Sequence, residues 1–194
     1  MDLHTRRLTL RGLRPSDFPQ WSEVRVRCSE WLRIWEPRRQ PGTPDPSRDL
    51  VAFTSRCTAR ERERQLGSGH AFGVFHGSTF IGEVNISNVR RGPFQSADIG
   101  YWVDQQHAGR GYTPEAVVGV LGYAFEHLSL HRVEIAIIPR NRRSLRVVEK
   151  LGIRSEGVAE RFLEINGVWE DHVRHAITSE EWGERRDELR ALGG

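Results

Sequence analysis

The sequence predicts a single α/β (α+β) domain, residues 1–194, built on a mixed, mostly antiparallel sheet of seven strands with helices on both faces. Three observations support this. Strand and helix patterns follow one another in the order strand, two helices, three strands, helix, strand, helix, two strands. The connections between the three consecutive strands are short, which indicates antiparallel neighbours. One helix links two apolar strands, which indicates a single parallel crossover.

The composition is that of a globular protein, with 37% apolar and 28% charged residues. We expect no membrane segment, because no run of about 18 apolar residues occurs, and we find no signal-peptide pattern at the N-terminus. Cys28 and Cys57 have no metal-ligand spacing, so we expect reduced thiols, no metal and a cytoplasmic location. The 29 basic and 26 acidic residues are interspersed, which disfavours direct nucleic-acid binding.

The N-terminal part contains one strand and two helices. Alternating apolar residues predict a strand over 8–13. A turn and helix-start signal at Asp17 is followed by an amphipathic helix that extends to about residues 28–31. Three prolines and a glycine make 38–46 a loop, and a second helix is expected over 47–66.

The central part changes to short strands. Residues 70–75, 80–86 and 97–103 have strand patterns, and a helix over 114–128 begins with a proline at its first position. The apolar segment 133–138 is the next strand. Because the helix crosses over between 97–103 and 133–138, these two strands must be parallel.

The C-terminal part begins with a helix over 141–151. Two strand patterns, 153–163 and 168–177, flank the hairpin turn Ile165-Asn166-Gly167. Residues 179–194 are expected to be an appended helix or tail.

The most informative segment is the connection between strand 97–103 and the following helix. Gly109 and Gly111 allow positive φ, so successive backbone N–H groups can point into one concavity next to the positive end of the helix. Such a loop suits a pyrophosphate, although a plain strand-to-helix turn has the same spacing. No Lys-Ser or Lys-Thr follows it, which excludes the nucleoside-triphosphate loop. Pro114 stands where the dinucleotide fingerprint has its third glycine.

The segment Gln106-His-Ala-Gly-Arg-Gly111 matches the Q/R-x-x-G-x-G/A signature of the GCN5-related N-acetyltransferase (GNAT) superfamily. Ile99–Val103, the Asn141-Arg-Arg-Ser144 segment and Arg161–His172 resemble its ribosomal-protein-alanine (RimJ/RimL-like) branch. The motifs occur in the order of the family and span about residues 5–177. The resemblance implies a GNAT fold, splayed between its fourth and fifth strands, and acetyl-CoA as the acyl donor.

The resemblance also implies where acetyl-CoA binds. Its pantetheine arm would pair like an extra strand with the end of Tyr101–Val103, and its pyrophosphate would meet the backbone amides of Ala108–Thr113. The implied cofactor-binding residues are Trp102, Val103, Gln106, His107, Ala108, Gly109, Arg110, Gly111, Tyr112, Thr113, Asn141, Arg143, Ser144 and Lys150.

Attack of an amine on a thioester requires a proton acceptor, a donor for the oxyanion and a proton for the leaving sulfur. The resemblance implies a backbone N–H near Val103 for the oxyanion. Many relatives place a tyrosine where this chain has Val148, so the proton donor to sulfur would be Ser144, as in the ribosomal branch. A serine in this position also commonly caps a helix, and that alternative stays open.

The sequence offers three candidates for the general base that accepts the proton of the amine: Glu83, Asp98 and Glu160. A glutamate used in part of the ribosomal branch aligns with Leu163 here, so its role cannot be transferred. Ordered water without an essential carboxylate is a fourth possibility.

The expected reaction is acetyl transfer to a primary amine, namely the N-terminal alanine or serine of a ribosomal or other protein. The alternative acceptor is a small amine such as an amino acid, a polyamine or an antibiotic, with acetyl or succinyl as the group transferred. A third hypothesis is a non-catalytic acyl-CoA-binding or RNA-associated protein that has kept the fold. Trp21, Trp31 and Trp35 either line the acceptor pocket or pack the first helices. We expect a monomer or a homodimer.

Overall fold

The computed structural model describes residues 2–193 and contains one eight-stranded sheet with helices on both faces. The strands are β1 (Leu3–His4), β2 (Leu8–Arg11), β3 (His70–His76), β4 (Thr79–Arg90), β5 (Ser96–Val103), β6 (Arg132–Ile137), β7 (Arg154–Ile165) and β8 (Val168–Thr178). The helices are α1 (Phe18–Arg27), α2 (Ser29–Arg33), α3 (Leu50–Leu66), α4 (Tyr112–Gly122), α5 (Arg142–Lys150) and α6 (Ser179–Gly193). The strand order is β1-β2-β3-β4-β5-β6-β8-β7.

The predicted parallel crossover is confirmed, and it produces the predicted splay. Strands β5 and β6 pair only at their beginnings, from Ser96 opposite Arg132 to Asp98 opposite Glu134. Strand β6 continues to pair with β8 as far as Ile137. The second half of β5 therefore has a partner on one side only, and a gap opens between the fourth and fifth strands of the predicted sheet.

Two apolar cores hold the layers together. One lies between the sheet and helices α4, α5 and α6, with Val117, Leu121 and Trp182 buried in it. The other lies on the opposite face, where α1, α2 and α3 pack Trp21 and Phe53 against the sheet. Helices on both faces were predicted, and this is confirmed.

The prediction of seven strands is wrong by one. The additional strand, β1, has only two residues and pairs Leu3 with Leu10. So short a segment has no periodicity of its own, and its pairing with β2 creates it.

The helix boundaries also differ from the prediction. The first helix is divided into α1 and α2 at Cys28. Helix α3 begins at Leu50 because the Asp49 side chain accepts from the backbone N–H groups of residues 51 and 52, whereas Ser47 bonds to Asp45. Helix α4 is followed by a π-helical turn over Tyr123–His127.

Both cysteines, Cys28 and Cys57, are buried free thiols. Within residues 2–193, no helix has the length and apolarity needed to cross a membrane.

Candidate active site

The glycine loop has the conformation that the sequence predicts. Gly109 and Gly111 have φ of +77° and +80°, and Gly111 is the N-cap of α4. Within residues 2–193, the N–H groups of Gly109, Arg110 and Gly111 donate to no protein acceptor, and the first N–H groups of α4 have none in a helix. The loop therefore presents a row of free donors at the positive end of a helix, as an anionic group requires.

A buried carboxylate, Asp104, fixes the start of this loop. It is 1% exposed and accepts from Arg27 at 2.8 and 3.1 Å, from His107 Nδ1 at 2.9 Å and from the Gln106 backbone at 3.1 Å. Burial works to raise the pKa of Asp104, but these hydrogen bonds outweigh it and hold the pKa well below its usual value. Because His107 Nδ1 is bound to Asp104, this atom is not available to a ligand.

A second buried carboxylate, Glu115, fixes the other end of the loop. It is 2% exposed and accepts from the Thr5 hydroxyl at 2.6 Å and from the backbone and side chain of Arg7, both at 2.7 Å. Arg7 also donates to the Arg110 carbonyl at 3.2 Å, and Lys150 Nζ lies 3.8 Å from the position of a Cβ on Gly111. The predicted residue Lys150 is thus at the loop.

A large cleft lies beside the gap between β5 and β6, with a volume of about 1060 Å³. Strands β4 and β5 form one wall, and α1, α2, α3, the loop after α2 and the beginning of α5 form the others. The predicted cofactor-binding residues that line it are Trp102, Val103, Thr113, Asn141, Arg143 and Ser144. The other predicted residues are outside the cleft lining. Residues 106–111 form the loop, Tyr112 begins α4, and Lys150 ends α5 beside the loop.

Strand β4 reaches the end of β5 very closely at Gly82. Gly82 has φ of +156°, and a Cβ there would lie 2.3 Å from the Trp102 carbonyl oxygen. Gly82 is paired with Val103, so only glycine allows β4 to support the predicted pantetheine-binding end of β5.

Ser144 is linked to β5 by the hydroxyl of Tyr101. Ser144 Oγ donates to the Tyr101 hydroxyl at 3.0 Å, and that hydroxyl donates to the Ser144 carbonyl at 3.0 Å. Burial raises the pKa of Tyr101, so this hydroxyl keeps its proton at neutral pH. Asn141, and not Ser144, is the N-cap of α5, because Asn141 Oδ1 accepts from the Ser144 backbone N–H at 3.2 Å. The hydroxyl of Ser144 is thus placed at the gap by two neighbours.

The three candidate carboxylates lie in different places. Glu83 lines the cleft, is 1% exposed, and accepts from Trp21 Nε1 at 2.7 Å and from Arg56 at 2.6 Å. Asp98 is outside the cleft lining and accepts from Asn88 at 2.8 Å. Glu160 is an exposed residue of β7, also outside the lining. The structure therefore brings Glu83, and neither of the other two, into the cleft with Ser144.

Trp21 of α1, Trp31 of α2 and Trp35 of the loop after α2 all line the cleft. Trp21 is also part of the core, where its ring packs on Phe53 at 4.8 Å, so the two interpretations hold together. The backbone N–H of Asn166 donates to the Glu36 carbonyl at 2.8 Å and so joins the β7–β8 turn to the loop after α2. The two joined segments line one side of the cleft.

Four residues that organise the site had no side-chain role predicted from the sequence: Asp104, Tyr101, Glu115 and Arg7. Asp104 could have been found as an N-cap before the turn Gln105–His107. The partners of the other three are distant in sequence, so no local pattern reveals them.

Comparison with known proteins agrees with this geometry. A family model described as an acetyltransferase (GNAT) domain matches residues 7–154. The Bacillus subtilis protein named "Probable N-acetyltransferase YjcK" is 44% identical over 124 residues, which cover 63% of this chain and 68% of that protein. The [ribosomal protein uS5]-alanine N-acetyltransferase of Escherichia coli is 31% identical over 182 residues, covering 93% and 92% of the two chains.

Among solved structures, Mycobacterium smegmatis RimJ in complex with a CoA disulfide superimposes with a TM-score of 0.88 at 31% identity. The match covers 100% of this chain and 93% of that one.

Proposed function

The chain belongs to the GNAT family of acetyltransferases and is an acetyl-CoA-dependent N-acetyltransferase; on that premise we propose that its acceptor is the N-terminal alanine or serine of a ribosomal or other protein. One observation carries the proposal: a single cleft of about 1060 Å³ contains both the gap beside Ser144 and the carboxylate of Glu83. That volume accommodates a pantetheine arm and the end of a peptide together. The E. coli relative, whose name specifies an alanine of ribosomal protein uS5, supports the same acceptor.

The residues of the loop and the gap fit acetyl-CoA. Free N–H groups from Gly109 to Gly111 bind the pyrophosphate, together with the first N–H groups of α4. Arg110 and Lys150 add positive charge near the phosphates. The unpaired side of Tyr101–Val103 binds the pantetheine arm, and Asn141 faces it. When bound, acetyl-CoA supplies an activated acyl group on a thiol leaving group.

The side chains of the cleft handle the protons. Glu83, oriented by Trp21 and Arg56, accepts a proton from the ammonium group of the acceptor, either directly or through water. The backbone N–H of Val103 donates to the carbonyl oxygen as negative charge develops on it. Ser144 Oγ would donate a proton to the leaving sulfur and regain one from the acceptor nitrogen, which loses its second proton as the amide forms.

The proposal includes the extent of the domain, the location of the enzyme and its oligomeric state. Residues 1–194 form one catalytic domain with α6 appended to it, and the enzyme acts in the cytoplasm as a monomer or a homodimer.

The test is thiol release from acetyl-CoA with peptides beginning in Ala, Ser or Met and with a set of small amines. We expect turnover of the Ala and Ser peptides and about 100-fold or more loss of kcat in Glu83→Gln, the usual size of a general-base effect. Asp98→Asn and Glu160→Gln are matched carboxylate controls outside the cleft. Turnover of small amines only would refute the proposed acceptor. A larger loss of kcat in either control than in Glu83→Gln would refute Glu83 as the general base.

A further inference from the structure

The cleft has an excess of positive charge in its lining, with seven arginines and three carboxylates. Each of these carboxylates already has an arginine partner. The pairs are Arg25–Glu36 (2.6 Å), Arg39–Asp45 (2.8 Å) and Arg56–Glu83 (2.6 Å). Two further arginines pair with carboxylates outside the lining, as Arg33–Glu30 (2.8 Å) and Arg60–Glu63 (2.7 Å).

Two arginines of the lining remain without an acidic partner. Among residues 2–193, no carboxylate lies within ion-pair distance, 4.0 Å, of Arg38 or Arg143. Both side chains are exposed to the cleft. Their charges are therefore available to a ligand.

Both of these arginines are held by packing. The guanidinium of Arg143 lies 4.0 Å from the centre of the Trp31 ring, and such stacking leaves the N–H edge free to bind a carboxylate. Arg38 lies against the β7–β8 turn, where its Cζ is 3.0 Å from the position that a Cβ on Gly167 would occupy. The two guanidinium groups thus project from different walls, α5 and the loop after α2.

The charge of Arg143 lies close in the chain to the point where the acceptor amine is expected to react. Arg143 directly precedes Ser144, which lies at the gap where the thioester is expected. A peptide whose N-terminal amine reaches that point advances about 3.3–3.6 Å per residue towards the mouth of the cleft. Arg143 and Arg38 line the same cleft as Ser144, so the side chains of the peptide's next few residues pass along the walls that carry these two charges.

We propose that the enzyme selects acceptors in which the N-terminal residue is followed, within the next few positions, by acidic side chains that bind Arg38 and Arg143. This rests on the proposed protein acceptor and adds the substrate class to it. Each of the three carboxylates of the lining is paired with an arginine, so the lining offers no unpaired negative charge that would favour a basic acceptor. A basic peptide is repelled by the same surface, so the charge discriminates in both directions.

The experiment uses three peptides of equal length that begin with Ala and continue with three Glu, three Gln or three Lys residues. At low salt and saturating acetyl-CoA we expect kcat/KM for the Glu peptide to exceed that for the Gln peptide about tenfold, the size of one or two charge-assisted hydrogen bonds. The Lys peptide is expected to be slower than the Gln peptide. The preference shrinks in about 0.5 M sodium chloride because exposed charges are screened.

Two variants locate the effect. Arg38→Ala and Arg143→Ala are each expected to raise KM for the Glu peptide several-fold and to reduce the ratio between the Glu and Gln peptides. Arg64→Ala is the charge-matched control, because Arg64 pairs with Glu61 on α3 and is outside the cleft lining. It should leave the ratio unchanged.

Three outcomes would overturn the inference, and they differ in what else they affect. Equal kcat/KM for the Glu and Gln peptides overturns it while leaving a protein acceptor in place. An unchanged peptide ratio in both variants, with a raised KM for acetyl-CoA, assigns the two arginines to the cofactor. No acetylation of any peptide overturns the proposed function as well.

Discussion

Replacing Asp104 by Asn tests whether the cofactor loop depends on its buried anchor. Asn keeps the shape of the side chain but removes the charge that Arg27 neutralises and one of the acceptor oxygens that bind the loop. Hydrogen bonds to charged groups contribute about 1.5–3 kcal/mol each, and breaking a buried ion pair costs about 3–5 kcal/mol. Arg27 is 31% exposed and also pairs with Glu23, so part of its charge stays solvated. We therefore expect a loss of about 2–3 kcal/mol.

For a chain of this length, a loss of that size lowers Tm by roughly 5–10 °C. Because the N–H groups of the loop are displaced, we also expect KM for acetyl-CoA to rise about tenfold, or about 1.4 kcal/mol of binding. Thermal unfolding followed by circular dichroism and initial rates of thiol release measure the two effects. Glu23→Gln is the control, since its exposed ion pair contributes at most about 1 kcal/mol.

The pH dependence gives a further check on the same residue. The pKa of Asp104 is lower in the folded protein than in the unfolded chain, so its contribution is complete above the unfolded value, about 4, and is lost as the pH falls towards the folded value. The difference in Tm between the wild type and Asp104→Asn should be constant above about pH 5 and shrink below about pH 4. An Asn variant with wild-type Tm and wild-type KM at pH 7 would refute the reasoning.

Three other substitutions test the geometry of the gap and the loop. Tyr101→Phe removes the hydroxyl that orients Ser144, so kcat should fall about tenfold with little change in KM for acetyl-CoA; steady-state kinetics with a wild-type kcat would contradict this. Gly82→Ala combines a backbone conformation reserved for glycine with a Cβ 2.3 Å from the Trp102 carbonyl. A loss of about 3 kcal/mol or more in urea unfolding is expected, against little loss for Gly12→Ala, where φ is not positive and no atom lies within 4 Å of the added Cβ. Glu115→Gln removes the charged acceptor of the hydrogen bonds from Thr5 and Arg7. Tm should therefore fall by several degrees, and KM for acetyl-CoA should rise with it. A change in only one of the two would show that the position of the loop and the stability of the fold are independent.

The architecture could be predicted where local pattern and topology coincide. A glycine loop that ends a strand and starts a helix is visible as Gly109, Gly111 and Pro114, and the crossover that follows must be right-handed and parallel. The boundaries were less predictable because they depend on side-chain competition. Ser47 could cap a helix as well as Asp49 can, and the bond from Ser47 to Asp45 decides between them.

The catalytic carboxylate could not be identified from the sequence for a physical reason. Glu83, Asp98 and Glu160 lie on three different strands, and their distances from the gap depend on sheet register and on which face each side chain occupies. Tyr101 was hidden for a related reason, because its partner Ser144 lies 43 positions away. Spacing in the chain carries no information about such contacts.

The attachment of Glu115 to the N-terminal segment has a consequence for the order in which the site is assembled. The donors on Thr5 and Arg7 are 110 and 108 positions from this carboxylate, and β1 is an edge strand of two residues. During synthesis the first segment of the chain must therefore wait until α4 has been made before it finds its partner. In the finished protein, detachment of this edge would leave a buried charge without donors, so a local opening at the N-terminus would be felt directly by the cofactor loop.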